Sequence, residues 1–449
     1  MMVMEWSFLD DRSAADQVDA LTWGKLRIDI ASQCVTDVAA NTTRRSEIYV
    51  PLFPIASWLV RNWWSLLYEP NPPDLGGILD TATATPWALR HCLRTARAGI
   101  ALPNLSIFSD GDALRAVWVR DQTGLRPHTP VEFATAGEAR FDRTHFEQQA
   151  ARLVDSVLER LVHTDDPRVS AVRTDWQATA STASDEIDFC VGAGRVGLDP
   201  FAVDAWPDGI LDWFESLTPR DFQQSFIADL LDAPTDIGAK ARSARPILDL
   251  VDERTLNSHP EIRLPRRLPT SAYERGYALA AKIRAALGVA PKERLDDLQR
   301  ASSTWAKRAH QVIEVPDLVA PEAAGLRGVV GWQGRAQPIV LLAPYADHHE
   351  RDVRFRVARG LYFALFGMAA GPRLITDART WDQRASRAFA AELLAPRDGV
   401  LALHLAAQRS RGPEEAESSV ADHYRVSSWV IRHQLDNARL SGGGATVAD

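Results

Sequence analysis

Three groups of residues in this chain are of types that do chemistry. Gly192, Gly194 and Gly197 satisfy G-x-G-x-x-G after the apolar run IDFCV, the spacing with which a strand-turn-helix unit brings backbone amides to a pyrophosphate. Leu198-Asp199-Pro200 follows where that helix must open, so a helix from Asp185 ending on Gly197 as its C-terminal cap fits better. His348-His349-Glu350 clusters metal-ligand types, but it stands ahead of a helical pattern rather than within one, which favours a solvated loop or the start of a helix. Cys34, Cys92 and Cys190 are far apart, odd in number and without C-x-x-C, as expected of reduced thiols rather than a disulfide framework or thiolate zinc site. Neither a Walker loop nor a G-x-S-x-G serine elbow is present.

At 449 residues the chain has material for two or three domains, and 46% hydrophobic with 24% charged residues is the composition of a folded protein. Lys and Arg number 51 against 59 Asp and Glu, a net charge of −8, so bulk electrostatics draw it neither to nucleic acid nor to anionic lipid. The apolar stretches Val50 to Val60 and Leu361 to Ala370 are shorter than the roughly 18 residues a spanning helix needs, so no membrane is expected. The opening MMVMEWSFLDD is acidic and lacks a basic start followed by an apolar core, which points to the cytoplasm.

The elements that must position any site follow from periodicity. From Leu26 to Asp121 the pattern is strand-like, with LRIDI, EIYVPL, LSIF and ALRAVWV, the last two flanking the hairpin signal SDGD. PIASWLVRNWWSLLYEP reads as a helix whose Trp58, Trp63 and Trp64 belong to the core rather than to a ligand platform. VEFAT and EARFDR are expected to pair, and a helix capped by Thr144 with Glu147 three residues on closes an N-terminal α+β domain, residues 1–163. Small polar residues make 164–184 a linker, and 185–269 reads as a helical middle segment. Residues 270–440 hold the strands VIEV, RGVVGWQ and QPIVLL, then the helices DVRFRVARGLYFALFG and DQRASRAFAAELLAP and a final helical pair, with 441–449 a loose tail. The fold class is α+β, an antiparallel N-terminal sheet with helices followed by a second α+β domain.

Two segments of that second domain, RFRVARGLYFALFG (Arg354 to Gly367) and RASRAFAAELLAP (Arg384 to Pro396), in their order and separation resemble the ImmA/IrrE family of bacterial zinc metallopeptidase-like proteins. GYALAAKIRAALG, the strands RGVVGWQ and QPIVLL, and VADHYRVSSWVIRHQLDN stand where the family places a helix, a small sheet and a closing helix-turn-helix-like segment, so the resemblance covers roughly Thr270 to Leu440. It implies a metallopeptidase-like α+β fold. The family's first helix reads R-F-x-x-A-H-E-x-x-H, two histidines holding zinc from one helix face with the glutamate taking a proton from metal-bound water, and a further glutamate completing the site. Matching RFRVA to that opening puts Arg359 at the first histidine, Gly360 at the glutamate, Phe363 at the second histidine and Gln383 at the third ligand. Arg is a permanent cation, Gly has no side chain, Phe has no lone pair and Gln is a poor stand-in for a carboxylate. The resemblance therefore implies a peptidase frame with no catalytic residue and no metal; zinc is expected only if His348, His349, Glu350, Asp382 and Glu392 rebuild a site. Bringing His349 and Glu350 in needs a register shift that exposes Phe355, Val357 and Leu361, and Glu392 reads otherwise as a surface carboxylate.

The closing segment has a helix-turn-helix rhythm, with Val420, Tyr424, Val426, Val430 and Leu435 as core. A reading helix there would offer Arg425, Arg432, His433, Gln434 and Asn437 to DNA, although Asp422, Asp436 and Glu414 to Glu417 dilute the positive face. The expected function is regulation or recognition through a protein partner, with stress response, mobile-element control or defence as the settings the resemblance implies. The alternatives are an active peptidase with a rearranged metal site and a DNA-binding regulator.

Overall fold

A computed structural model of the chain describes residues 1–9, 16–40, 43–76, 85–96, 99–121, 131–254, 256–257, 269, 271–306, 309–315, 318–319, 323, 325–333, 337–343, 350–366 and 371–443. Two units, Met1–Pro219 and Arg220–Asp449, make up the chain, and sheets and helices occur in both, a mixed α+β fold.

The first unit begins with β1 (Met2–Phe8), α1 (Gln17–Leu21), β2 (Trp23–Ile30), β3 (Gln33–Cys34), β4 (Val38–Ala40), β5 (Thr43–Arg45) and β6 (Ile48–Pro51). Every second residue of β2 is buried, so one face is committed to the core; β1 runs antiparallel beside it from Met2 opposite Ile30 to Phe8 opposite Gly24, and β6 and β3 share its other edge. Next come α2 (Phe53–Arg61), α3 (Trp63–Tyr68), α4 (Pro86–His91) and the hairpin β7 (Asn104–Ser109) to β8 (Leu114–Val119), which turns with Gly111 at φ +84°. The tryptophans contact protein: the Trp58 indole N–H donates to Leu89 O, Trp63 meets Trp176 edge-on and Trp64 stacks on Tyr68.

Three local expectations need correction here. β9 (Glu132–Phe133) and β10 (Gly137–Phe141) do not pair with each other; β9 joins β4 and β10 joins β8. Between them Ala134 N bonds Asp37 O and the Thr135 hydroxyl bonds Cys34 O, so the chain crosses over instead of reversing. Helix α5 (Arg143–Arg160) is capped by Asp142, not Thr144, because Asp142 is still extended and its carboxylate accepts from His145 N at 2.8 Å. The expected linker 164–184 carries α6 (Pro167–Ala180), which is capped by Asp166 and packs on α2 through fully buried Val169 and Val172. Those two apolar residues sit one turn apart in a polar stretch, enough to anchor a helix but too few to register as periodicity. Helix α7 (Ile187–Arg195) ends as expected on Gly197 at φ +73°: Gly197 N bonds Gly194 O and Leu198 N bonds Ala193 O, closing the last turn. A Cβ at Gly194 would stand 2.5 Å from Trp64 O, so the glycine is explained by the packing of α7 on α3. The unit closes with α8 (Ile210–Ser216) and the one-turn α9 (Pro219–Phe222), within which the division between units falls.

The second unit contains α10 (Ser225–Asp232), α11 (Ile237–Glu253), β11 (Leu256–Asn257), α12 (Ala272–Leu287), α13 (Leu298–Ala306), β12 (Gln311–Glu314), β13 (Leu326–Gln333), β14 (Gln337–Leu342), α14 (Glu350–Phe366), β15 (Arg373–Thr376), α15 (Trp381–Leu394), α16 (Arg397–Arg411), α17 (Pro413–Tyr424) and α18 (Ser428–Gly443). β13 is central, antiparallel to β14, β11 and β15, and β12 lies parallel to β14. β13 and β14 are buried along nearly their whole length, as strands covered on both faces must be. Helix α14 lies on β13 and β14, and α12 packs on α15 so closely that a Cβ at Gly276 would come within 2.5 Å of Ala385 O. The segment 185–269 is divided between the units: α7 and α8 belong to the first, and α10, α11 and β11 to the second, where α10 packs on β15 and β11 pairs with β13. Three helices, α16 to α18, close the chain where a pair is expected. Among the described residues no helix is long and apolar enough to cross a membrane.

Candidate functional site: an arginine-lined cleft

Helix α14 presents Arg356, Arg359 and Phe363 along one stripe because they recur at three- and four-residue spacing. Arg359 is only 3% exposed. Its Nη2 donates to Gln383 Oε1 at 2.7 Å and Thr376 O at 2.6 Å, and its Nε donates to Ser386 Oγ at 3.2 Å. Gln383, on the first turn of α15, is fully buried: its Oε1 also accepts from Thr376 N at 3.2 Å, while its Nε2 donates to Leu374 O at 2.7 Å and Asp229 Oδ1 at 3.3 Å. Asp229 comes from α10 and takes a two-pronged ion pair from Arg373, at 2.7 and 2.9 Å, plus the amide of Leu374 at 2.9 Å. Arg373 continues to Asp382 Oδ2 at 2.8 Å and lies over the Phe363 ring, 4.9 Å from its centroid.

Beside this network opens a cavity of about 230 Å³ lined by Arg327, Arg356, Arg359 and Arg387 and by Asp352 and Asp377. Arg327 forks onto Asp377 Oδ2 at 3.0 and 2.5 Å, and the other oxygen of Asp377 is 3.8 Å from Arg359 Nη1. Burial, reinforced by Arg387, pushes the Arg359 guanidinium down to about 9. Burial likewise pushes Arg387 down to about 10, against the opposing pull of Asp377. In Arg373 the carboxylates of Asp229 and Asp382 outweigh burial and the shift is upward.

Of the four positions that the resemblance singles out, Arg359 and Gln383 meet directly, Phe363 is buried against Arg373, and Gly360 turns toward the sheet. A Cβ at Gly360 would lie 2.9 Å from both methyls of Val340, so the position has no room for a glutamate. Of the residues considered for a rebuilt metal site, Glu350, Asp382 and Glu392 are engaged separately. His348 and His349 lie outside the described residues. Glu350, at the start of α14, is 3.5 Å from Arg425 Nη1. Asp382 pairs with Arg373. Glu392 is no surface carboxylate: it accepts from Arg397 N at 2.9 Å and Gln434 Nε2 at 3.0 Å, tying α15 to the start of α16 and to α18, and burial raises its pKa. Among the described residues no group of three or more His, Cys, Asp or Glu is arranged to hold a metal ion.

The closing segment, α17 and α18, has the expected core, with Val420, Tyr424, Val426, Val430 and Leu435 all buried. Arg425, left-handed at φ 53°, is exposed, as are Arg432, 3.4 Å from Glu417, and His433, edge-on to Trp429. Gln434 and Asn437 do not share that outward face. Gln434 is fully buried, donating to Ala395 O at 2.8 Å and accepting from Tyr277 OH at 2.8 Å, and Asn437 donates to the same hydroxyl at 2.7 Å. The inward arc of α18 is set by Val430, Ile431 and Leu435, and Gln434 falls inside it.

Asp229, Arg373, Asp377, Arg327 and Arg387 were not singled out by spacing. The run GPRLITDART between two helical patterns holds Arg373 and Asp377 and was the one available signal; Asp229 stands 144 residues from Arg373, and only the fold joins them.

The first unit has its own buried polar cluster. Glu69 takes a forked pair from Arg90, at 2.7 and 2.5 Å, and faces His91 Nε2 at 2.9 Å, while His91 Nδ1 faces Ile107 O at 2.6 Å. Both ring nitrogens face acceptors and the ring is wholly buried, so the cluster ties α3, α4 and β7 together rather than meeting a ligand. No protein-family model matches the chain, and no curated protein matches its sequence.

Proposed function

We propose that this is a cytoplasmic bacterial recognition or regulatory protein whose second unit is an ImmA/IrrE-like frame without hydrolytic chemistry, acting through a protein partner in stress response, mobile-element control or defence. One observation carries the reading: at the position matched to the family's first zinc ligand stands Arg359, whose guanidinium bonds Gln383 at the position matched to the third. A buried cation bonded to three acceptors repels a divalent ion from the space it fills, and Gly360 leaves no group to take a proton from water. DNA binding through α17 and α18 draws less support, because Arg425 and Arg432 each face a glutamate and Gln434 points inward.

Metal analysis of the purified chain, paired with hydrolysis of a denatured protein substrate, tests the reading. The expected result is less than stoichiometric zinc and no cleavage. One tightly held zinc per chain, with cleavage abolished by a chelator, would overturn it.

A further inference from the structure

We infer that the first unit carries a binding site for a small organic ammonium ion with a flat apolar body. The run Leu198-Asp199-Pro200, which follows the Gly197 cap of α7, lines a cavity of about 420 Å³, and the end of α2, the start of α3 and the last turns of α6 supply its other walls. Organic-ligand pockets span roughly 300–1,000 Å³, so the space takes a whole small molecule. The site lies wholly within Met1–Pro219.

One buried polar group in the cavity is left for a ligand. Ser65, on α3, lines the space and is only 5% exposed, yet its hydroxyl makes no hydrogen bond among the described residues. A buried hydroxyl without a partner is costly, and a bound group that hydrogen-bonds it offsets that cost.

Charge decides what the ligand is. Asp175 and Asp199 both line the cavity, and neither forms an ion pair among the described residues. Of the two arginines on the wall, Arg90 is committed to its fork on Glu69, and Arg61, exposed at the end of α2, pairs with no carboxylate among the described residues. Two carboxylates therefore stand against one uncommitted guanidinium, and a single positive charge on the ligand balances the set. Desolvation raises the Asp199 carboxyl and Asp175 adds to the rise, so the two charges sense one another; a cation between them removes that repulsion. A bare metal ion does not fit, because among the described residues no third His, Cys, Asp or Glu joins the pair.

The walls fix the body of the ligand. Trp64, held against Tyr68 with ring centroids 6.1 Å apart, and Phe201, 46% exposed, place aromatic rings in the same cavity, with Val60 and Leu198 adding apolar surface. Such rings attract an ammonium through their quadrupole and pack on a flat apolar group.

Calorimetric titration of the full chain near neutral pH with phenethylamine, ethylamine and phenylacetate tests the site. Phenethylamine should saturate at millimolar concentration or below. Ethylamine, without the ring, and phenylacetate, without the positive charge, should each bind at least roughly tenfold more weakly. Asp199→Asn keeps the Oδ1 that accepts from Phe201 N at 2.9 Å, and should weaken phenethylamine by roughly tenfold with its melting temperature retained. Ser65→Ala removes an unpaired buried hydroxyl, so it should be at least as stable as the parent and still bind more weakly. Arg61→Gln lifts a like charge from the wall and should bind phenethylamine at least as tightly. No saturation by millimolar phenethylamine, equal binding of either control, unaltered binding in Asp199→Asn or Ser65→Ala, or weaker binding in Arg61→Gln would each overturn the proposal.

Discussion

Arg359 and Gln383 meet side chain to side chain, Nη2 to Oε1 at 2.7 Å, in the buried seam between α14 and α15. Gln383 works there as a neutral amide with both ends used: its oxygen serves Arg359 and Thr376 N, its nitrogen serves Leu374 O and Asp229. A carboxylate of the same shape can serve only the first pair.

Gln383→Glu is therefore expected to destabilise the second unit. Its second oxygen would face Leu374 O and the Asp229 carboxylate, acceptor against acceptor, at a cost of roughly 1–3 kcal/mol. Urea unfolding monitored by circular dichroism measures it; a variant as stable as the parent would show that Arg359 compensates.

Gly360→Ala should cost about 1–3 kcal/mol through overpacking, because the added methyl lands 2.9 Å from both methyls of Val340. Val340→Ala opens that space. Combined with it, Gly360→Ala should cost measurably less than alone, a coupling read from the double-mutant cycle.

His310 gives the fold an acid-sensitive point. Burial holds its imidazole down to about 4 from 6.5, with only partial opposition from Asp297, and its Nδ1 sits 2.9 Å from the Ser302 hydroxyl. Above pH 6.5 the contribution to stability is complete; as pH falls the unfolded chain takes up a proton that the folded chain refuses, and by about 4 the contribution is lost. The loss is at most roughly 3 kcal/mol, and His310→Gln should flatten the stability profile across that window.

Glu69 sets a second pH dependence in the first unit. Burial works to raise its carboxyl, but His91 and Arg90 prevail and hold it below the ordinary range. Its contribution is present above the ordinary carboxylate pKa and is lost as pH falls through the lowered value. Glu69→Gln leaves Arg90 without its counter-charge and should cost roughly 3–5 kcal/mol at neutral pH, measured by thermal unfolding.

Much of the architecture was legible from periodicity. The alternation of LRIDI gives β2, the spacing of Phe146, Ala150, Leu153 and Val157 gives α5, and the glycine after IDFCVGAGRV gives the end of α7. The misses share a cause: α6 hangs on two valines, β9 and β10 find their partners elsewhere in the sheets, and β15 is four residues long. Each is decided by neighbours remote in sequence. The site was legible only along α14 and α15, where the resemblance pointed to Arg359, Phe363 and Gln383.

By itself the sequence determined which side chains are available: a cation, a hydrogen, a ring and an amide at Arg359, Gly360, Phe363 and Gln383, and the helices that carry them. Tertiary structure alone decided what those groups do. Asp229 reaches Arg373 across 144 residues, Gly360 abuts Val340, and four arginines from three elements converge on one cleft. The reason is physical: local propensity acts over a helical turn or a strand pair, whereas burial of charge and its compensation depend on every element that closes around the group.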